Sequence, residues 1–243
     1  LEARLTINNP AFEEAEKHGR WTGNLEPKLH FLHRDPEGLI MPRGFIRQLV
    51  RILRGHDAPF QIEDRTRTLP DMDFQFQGAL HDYQEKAADA ILGKRFGVAQ
   101  MPTGSGKTIV ALHCIAQRRQ PALVIVHTKE LLYQWRDQAA RFLDMDPEEI
   151  GLLGDGHCRF GDRLTISVVN TLYKHAEEAK KHAGFLIADE VHRCPSRTFS
   201  EAVAAFDSRF MLGLSATPYR RDKLTRLIWW HVGDRVCAID PQE

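Results

Sequence analysis

The chain has 243 residues, 42 % of them apolar, with 33 Lys plus Arg balanced by 33 Asp plus Glu, the make-up of a folded protein of one large or two small domains. Zero net charge excludes a generally basic surface, so any contact with nucleic acid has to come from local clusters. Cys114, Cys158, Cys194 and Cys237 are widely spaced, no apolar run approaches the ~20 residues of a membrane helix, and the opening LEARLTINNP lacks a secretion-signal pattern; the expectation is a cytoplasmic protein without a disulfide framework or membrane span.

Residues 1–78 read as a small α+β module. It opens with a strand-like RLTI, turns at residues 35–38, and runs through LIMP into the helical GFIRQLVRILR. Within that helix Arg43, Arg47, Arg51 and Arg54 fall on one face, opposite Ile46, Leu49, Val50 and Leu53. Such a face either tracks phosphates or is simply solvated. Trp21 is open in the same way, to base stacking or to a core position. The polar stretch 64–77, DRTRTLPDMDFQFQ, places the boundary of the module near residue 78.

Beyond it, short apolar runs at 95–100, 122–126, 164–169, 185–188 and 210–214 alternate with helical patterns at 108–118, 129–143 and 198–206. Runs apolar on both faces, joined by helices, predict an open, mainly parallel α/β sheet over residues 79–243.

Two motifs carry chemistry. MPTGSGKT, residues 101–108, lies between a predicted strand and a predicted helix, the setting a phosphate-binding loop requires. Thr103, Gly104, Ser105 and Gly106 would curl the backbone so that consecutive N–H groups face an anion, Lys107 would reach the β- and γ-phosphates, and Thr108 would offer its hydroxyl to Mg²⁺. Met101 stands where the usual spacing has glycine; the plain alternative is a glycine-rich turn with an incidental lysine. FLIADEVH then ends an apolar strand in two carboxylates, at the strand end where open α/β sheets place ligands. Asp189 would hold Mg²⁺ through a water and Glu190 would orient and deprotonate an attacking water; the alternative is a solvated strand end. His192 is too far along to join them as a ligand. His157 with Cys158, and His192 with Cys194, lack zinc-motif spacing.

PTGSGKT, DEVH and SATP (residues 215–218), in that order, resemble motifs I, II and III of superfamily 2 helicases. LHDYQ at 80–84 resembles the adenine-reading segment, although His81 replaces the usual basic residue; HTKELLYQW at 127–135 and VVNTL at 168–172 resemble motifs Ia and Ib, and the glycine pair of GDG at 154–156 sits where that superfamily approaches the DNA backbone. LHDYQEKA, PTGSGKT, DEVH and ATPYRRD are most similar to the XPB branch, which includes UvsW-type and restriction-motor translocases. The resemblance implies a RecA-like fold, ATP and Mg²⁺ as cofactors and DNA as partner. It further implies Gln84 on adenine; His192, Ser215 and Thr217 coupling nucleotide state to movement; and Thr128, Asn170 and Thr171 on the phosphate backbone. For the last three, helix-cap and turn roles are equal alternatives. Such motors need a second RecA-like domain for the arginine finger, and the residues after SATP are too few for one, so binding of ATP with weak hydrolysis is expected of this chain. The competing expectations are a non-catalytic nucleic-acid or assembly module on the same fold, an RNA-directed helicase, and a small-molecule phosphotransferase.

Overall fold

The computed structural model describes residues 1–193, 196–217 and 224–239. Cys194, and the part of SATPYRRD from Pro218 to Asp222, lie outside the described residues.

The first 55 residues hold two small antiparallel pairs, β1 (Thr6–Asn8) with β2 (Lys28–His30) and β3 (His33–Asp35) with β4 (Gly38–Ile40), plus helices α1 (Pro10–Lys17) and α2 (Ile46–Gly55). The Asp35 carboxylate closes the predicted turn, accepting from the N–H groups of Glu37 and Gly38. Asn9 caps α1, accepting from Ala11 N–H at 3.1 Å ahead of Pro10 at the first helical position.

The remainder contains α3 (Asp82–Leu92), β5 (Phe96–Gln100), α4 (Lys107–Arg118), β6 (Ala122–Val126), α5 (Lys129–Phe142), β7 (Gly151–Gly154), β8 (His157–Arg159), β9 (Leu164–Val168), α6 (Val169–Ala179), β10 (Phe185–Ala188), α7 (Ser196–Ala204), β11 (Phe210–Ser215), α8 (Thr225–Val232) and β12 (Arg235–Ala238). Among the described residues the main sheet has eight strands in the order β12-β5-β11-β10-β6-β9-β7-β8, parallel throughout except for β8. The predicted α/β sheet is thus observed. The pleat explains its continuous apolar runs: in β10, Phe185 and Ile187 join the core layer containing α4 and α5, while Leu186 and Ala188 join the layer containing α6 and α7.

Three features tie the first 78 residues to this sheet. Leu5 and Phe45 share one cluster with Leu224, Leu227 and Trp230, so the module completes its apolar core on α8. The stretch 64–77 crosses the amino-terminal edge of the sheet as a strap, with Met72 N–H on Arg119 C=O at 2.7 Å, Gln77 N–H on Phe142 C=O at 2.8 Å, and the buried Gln120 amide bonded to both backbone groups of Leu69. Gly44 is the third: a Cβ there would lie 2.5 to 2.6 Å from the backbone atoms Trp229 O, Gly233 N and Trp230 O. Backbone cannot yield as a flexible side chain can, so Gly44→Ala is expected to cost about 3 kcal/mol. Thermal unfolding and limited proteolysis check this, with cleavage in residues 1–55 preceding cleavage of the sheet.

The arginine face is corrected in part. Arg43 lies in a 3-10 turn before α2, half-buried, donating to Ser208 C=O at 2.6 Å and Arg209 C=O at 3.4 Å, with its guanidinium 5.4 Å from the Phe96 ring centre. Burial lowers its pKa. Arg47 sits over the same ring at 5.6 Å and within 4.0 Å of Asp234, which also takes Arg51 at 3.4 Å. These three arginines therefore point at the sheet domain, where Asp234 and aromatic packing engage them; they do not form one free cationic stripe. Trp21 is 90 % exposed, which removes the core reading for that residue.

Candidate nucleotide-binding site

Three neighbouring parallel strands end side by side at the carboxyl edge of the sheet. β5 runs into residues 101–106, β11 ends at Ser215, and β10 is followed by Asp189 and Glu190. The register seats the loop: Ser215 pairs with Gln100, and Met101 N–H donates to Ser215 C=O at 2.9 Å. Met101 is fully buried, so an apolar anchor occupies the position where glycine was expected.

The loop then curls as its glycines allow. Gly104 and Gly106 have φ of 83° and 79°, a left-handed backbone that L-residues adopt at a cost. At Gly106 a Cβ would also meet Gln84 Nε2 at 2.4 Å. Gln84, buried near the start of α3, spans the two segments: its Oε1 accepts from His81 N–H and its Nε2 donates to Ser105 C=O, both at 3.0 Å. Gln84 is thus fastened to the loop, with His81 and Tyr83 stacked 5.7 Å apart beside it. Thr103 is exposed, the Ser105 hydroxyl donates to Pro102 C=O at 2.7 Å, and Thr108 is the second residue of α4.

Lys107 opens α4 and points across the strand ends, with Nζ 3.4 Å from Glu190 Oε1, 3.4 Å from Met101 C=O and 3.5 Å from Pro102 C=O. The two charges are 11 % and 20 % exposed, dry enough for their attraction to count and open enough for a ligand to replace either partner. Glu190 has φ 45°, a strained conformation for a residue with a Cβ, which turns the chain sharply out of β10. Asp189 is buried; burial pushes its carboxyl above the usual range, against which the Trp135 indole N–H (2.8 Å to Oδ2) and the Glu190 backbone N–H (2.9 Å to Oδ1) favour the ionised form.

His192 Nδ1 lies 2.7 Å from Ser215 Oγ and 3.3 Å from Glu190 Oε2, and burial lowers its pKa, so near neutral pH it is an uncharged link between β10 and β11. Ser215 is fully buried and Thr217 is exposed. The other polar candidates follow the outer strands of the same edge. Thr128 comes after β6 and caps α5, accepting from Leu131 N–H at 3.3 Å; Asn170 and Thr171 lie in the first turn of α6 after β9; Asp155 and Gly156 turn left-handed after β7. Thr128 therefore fills its cap role, which does not occupy all its acceptor capacity.

Oxygen donors from one hydroxyl, Thr108, and one carboxylate, Asp189, beside a glycine-curled loop form a set suited to a hard cation bridging phosphates. Among the described residues no group of three or more His, Cys, Asp or Glu could form a dedicated metal cage. Trp135 was missed by sequence reasoning: it sits 54 residues from Asp189, and no local pattern links an apolar helix face to a remote strand end.

A family model described as the type III restriction enzyme res subunit matches residues 77–220, more than half of the chain. The chain belongs to that family. It is an XPB-like, superfamily 2 helicase domain, the first of the RecA-like type. Over 143 residues it is 38 % identical to the DNA 3'-5' translocase XPB2 of Sulfurisphaera tokodaii, covering 59 % of this chain and 32 % of that protein. Over 183 residues it is 32 % identical to putative helicase 109L of Invertebrate iridescent virus 3, covering 68 % and 54 %. The chain thus spans about a third to half of the length of these relatives. The fold of the UvsW helicase from bacteriophage T4 superposes with a TM-score of 0.73 at 17 % identity, over 97 % of this chain and 90 % of that one. Family membership implies use of a nucleotide. Among the described residues no helix is long and apolar enough to cross a membrane.

Proposed function

We propose that the chain is the ATP-binding part of an ATP-dependent DNA helicase or translocase working in the cytoplasm, with residues 79–243 as its RecA-like unit and residues 1–78 as an accessory module. The observation that carries this reading is the meeting of Lys107 and Glu190 at 3.4 Å, from loops that end two different strands. In the resting molecule each neutralises the other. Phosphates entering the loop would draw Lys107 toward themselves and release Glu190 to orient a water and accept its proton, while the N–H groups of residues 103–108 cradle the anion.

Thr108 and Asp189 would hold Mg²⁺, which when bound neutralises charge on the β- and γ-phosphates. Gln84 would read adenine by exchanging one of its present partners, His81 N–H, Ser105 C=O or the Tyr83 hydroxyl, for the base. His192 and Ser215 would sense the position of Glu190, and exposed Thr217 would carry that state toward a second RecA-like domain. Thr128, Asn170 and Thr171, strung along the same edge, would grip DNA phosphates without reading bases. Of the three arginines, only Arg51 retains a largely exposed side chain, 74 %, for such a contact.

Lys107→Ala tests the reading. Binding of a fluorescent ATP analogue with Mg²⁺ should weaken about 100-fold or more, and in the full-length protein with its second RecA-like domain DNA-stimulated phosphate release should vanish. Undiminished affinity in the variant would sink the proposal. Titration of the wild type with duplex, forked and single-stranded DNA and with RNA then identifies the track; nucleic-acid-independent turnover would favour a small-molecule phosphotransferase.

A further inference from the structure

Asp189 is a buried carboxylate whose protein-side hydrogen bonds come from two donors of different rigidity. Its Oδ1 takes the backbone N–H of Glu190, the residue with strained φ, whereas Oδ2 takes the Trp135 indole N–H at 2.8 Å. Trp135 is 1 % exposed and lies in the core layer between α5 and the sheet, so its ring has no room to swing. An indole is a donor only, and it cannot ligate a metal, accept a proton or take a charge. It can do one thing here, which is to fix the direction of the carboxylate.

The helix bearing Trp135 is anchored at its other end. α5 begins at the Thr128 cap, and one turn on Tyr133 donates its hydroxyl to Asp155 Oδ2 at 2.9 Å, in the turn after β7. A single rigid element thus touches Asp189 and the outer polar edge of the sheet.

We propose that Trp135 is a positioning residue for Asp189, its indole N–H holding the carboxylate in the orientation that receives magnesium-bound nucleotide. The proposal rests on the reading of Asp189 as the magnesium-side carboxylate. Hydrogen-bond partners standing behind metal-binding groups are typically worth 10- to 100-fold in metal affinity. Removing the N–H while keeping an aromatic ring should therefore affect the metal and leave the bare nucleotide alone.

The test uses Trp135→Phe and a fluorescent ADP analogue, with Mg²⁺ titrated at fixed nucleotide and a parallel series in EDTA. In the variant, affinity without metal should be unchanged, and half-saturating Mg²⁺ should rise about tenfold or more. A folded variant with unchanged half-saturating Mg²⁺ overturns the proposal. A second readout does not depend on the variant's folding. The four tryptophans give separate indole ¹H–¹⁵N resonances, and that of Trp135, assigned by through-bond experiments in the wild type, should shift between ADP in EDTA and ADP with Mg²⁺. No shift there overturns it equally. Failure of the wild type to bind nucleotide under either condition would sink the nucleotide reading and this proposal together; normal wild-type binding with an indifferent Trp135 sinks this one alone.

Discussion

In the full-length protein with its second RecA-like domain, replacing Glu190 by Gln is expected to lower DNA-stimulated ATP turnover about 100- to 10,000-fold, the contribution of a positioned general base, while leaving Mg²⁺-ATP bound as tightly as in the wild type or more so. The amide keeps the size of the side chain and loses both its charge and its ability to take a proton from water. It also ends the ion pair with Lys107 at 3.4 Å and turns the carboxylate facing His192 at 3.3 Å into a neutral amide. Lys107 is then no longer held by an internal carboxylate and is free for phosphate. Turnover and binding should thus move in different directions, which separates Glu190→Gln from Lys107→Ala, where both are lost. Phosphate release and equilibrium binding measured on the same preparation check the result, and weakened binding in Glu190→Gln would contradict this division of roles.

The second large effect concerns stability and acid. His231, near the end of α8, is 7 % exposed, faces Phe31 edge-on at 6.0 Å, and has no hydrogen-bond partner for Nε2 among the described residues. Burial pulls its pKa from 6.5 down to about 4. Above pH 6.5 both folded and unfolded chains carry it neutral, so it has no pH-dependent effect. Between pH 6.5 and 4 the unfolded chain takes up a proton that the folded chain refuses, and stability falls by about 1.4 kcal/mol per pH unit, to a total near ~3 kcal/mol. Because α8 supports residues 1–55, that loss should appear first as release of the module. Denaturant midpoints at pH 7.5 and 5 measure it, and His231→Leu should remove most of the difference; an equal acid loss in the variant would show that other groups carry it.

How much of this was legible in the sequence depended on how local each cause was. The bounds of β6 and β10 matched the expected runs because strands covered on both faces are uniformly apolar, as ALVIV and FLIA are. The curled strand-loop-helix over residues 96–118 was readable because its glycines, lysine and flanking elements are contiguous, and Met101 merely exchanges a glycine for a buried anchor. By contrast, β7, β8, β12 and α1 were not anticipated: each is short, β8 is fully exposed, and the buried pair Leu152 and Leu153 is too brief an apolar run to mark β7 as a strand. The arginine face was misread for a different reason. Helical spacing gives the direction of a side chain but not what lies opposite, and Phe96, Ser208 and Asp234 come from distant segments. The Trp135 to Asp189 bond and the seating of Gly44 against α8 have the same long-range character.

The packing of Leu5 and Phe45 against Leu224, Leu227 and Trp230 also bears on how the polypeptide is made. A ribosome releases residues 1–55 before α8, yet their oily face has no seat until residue 232 has cleared the exit tunnel. Until then that segment must wait, exposed, so of these two packed parts the one translated earlier settles later. Such a long closure slows maturation and gives holding chaperones an obvious place to act.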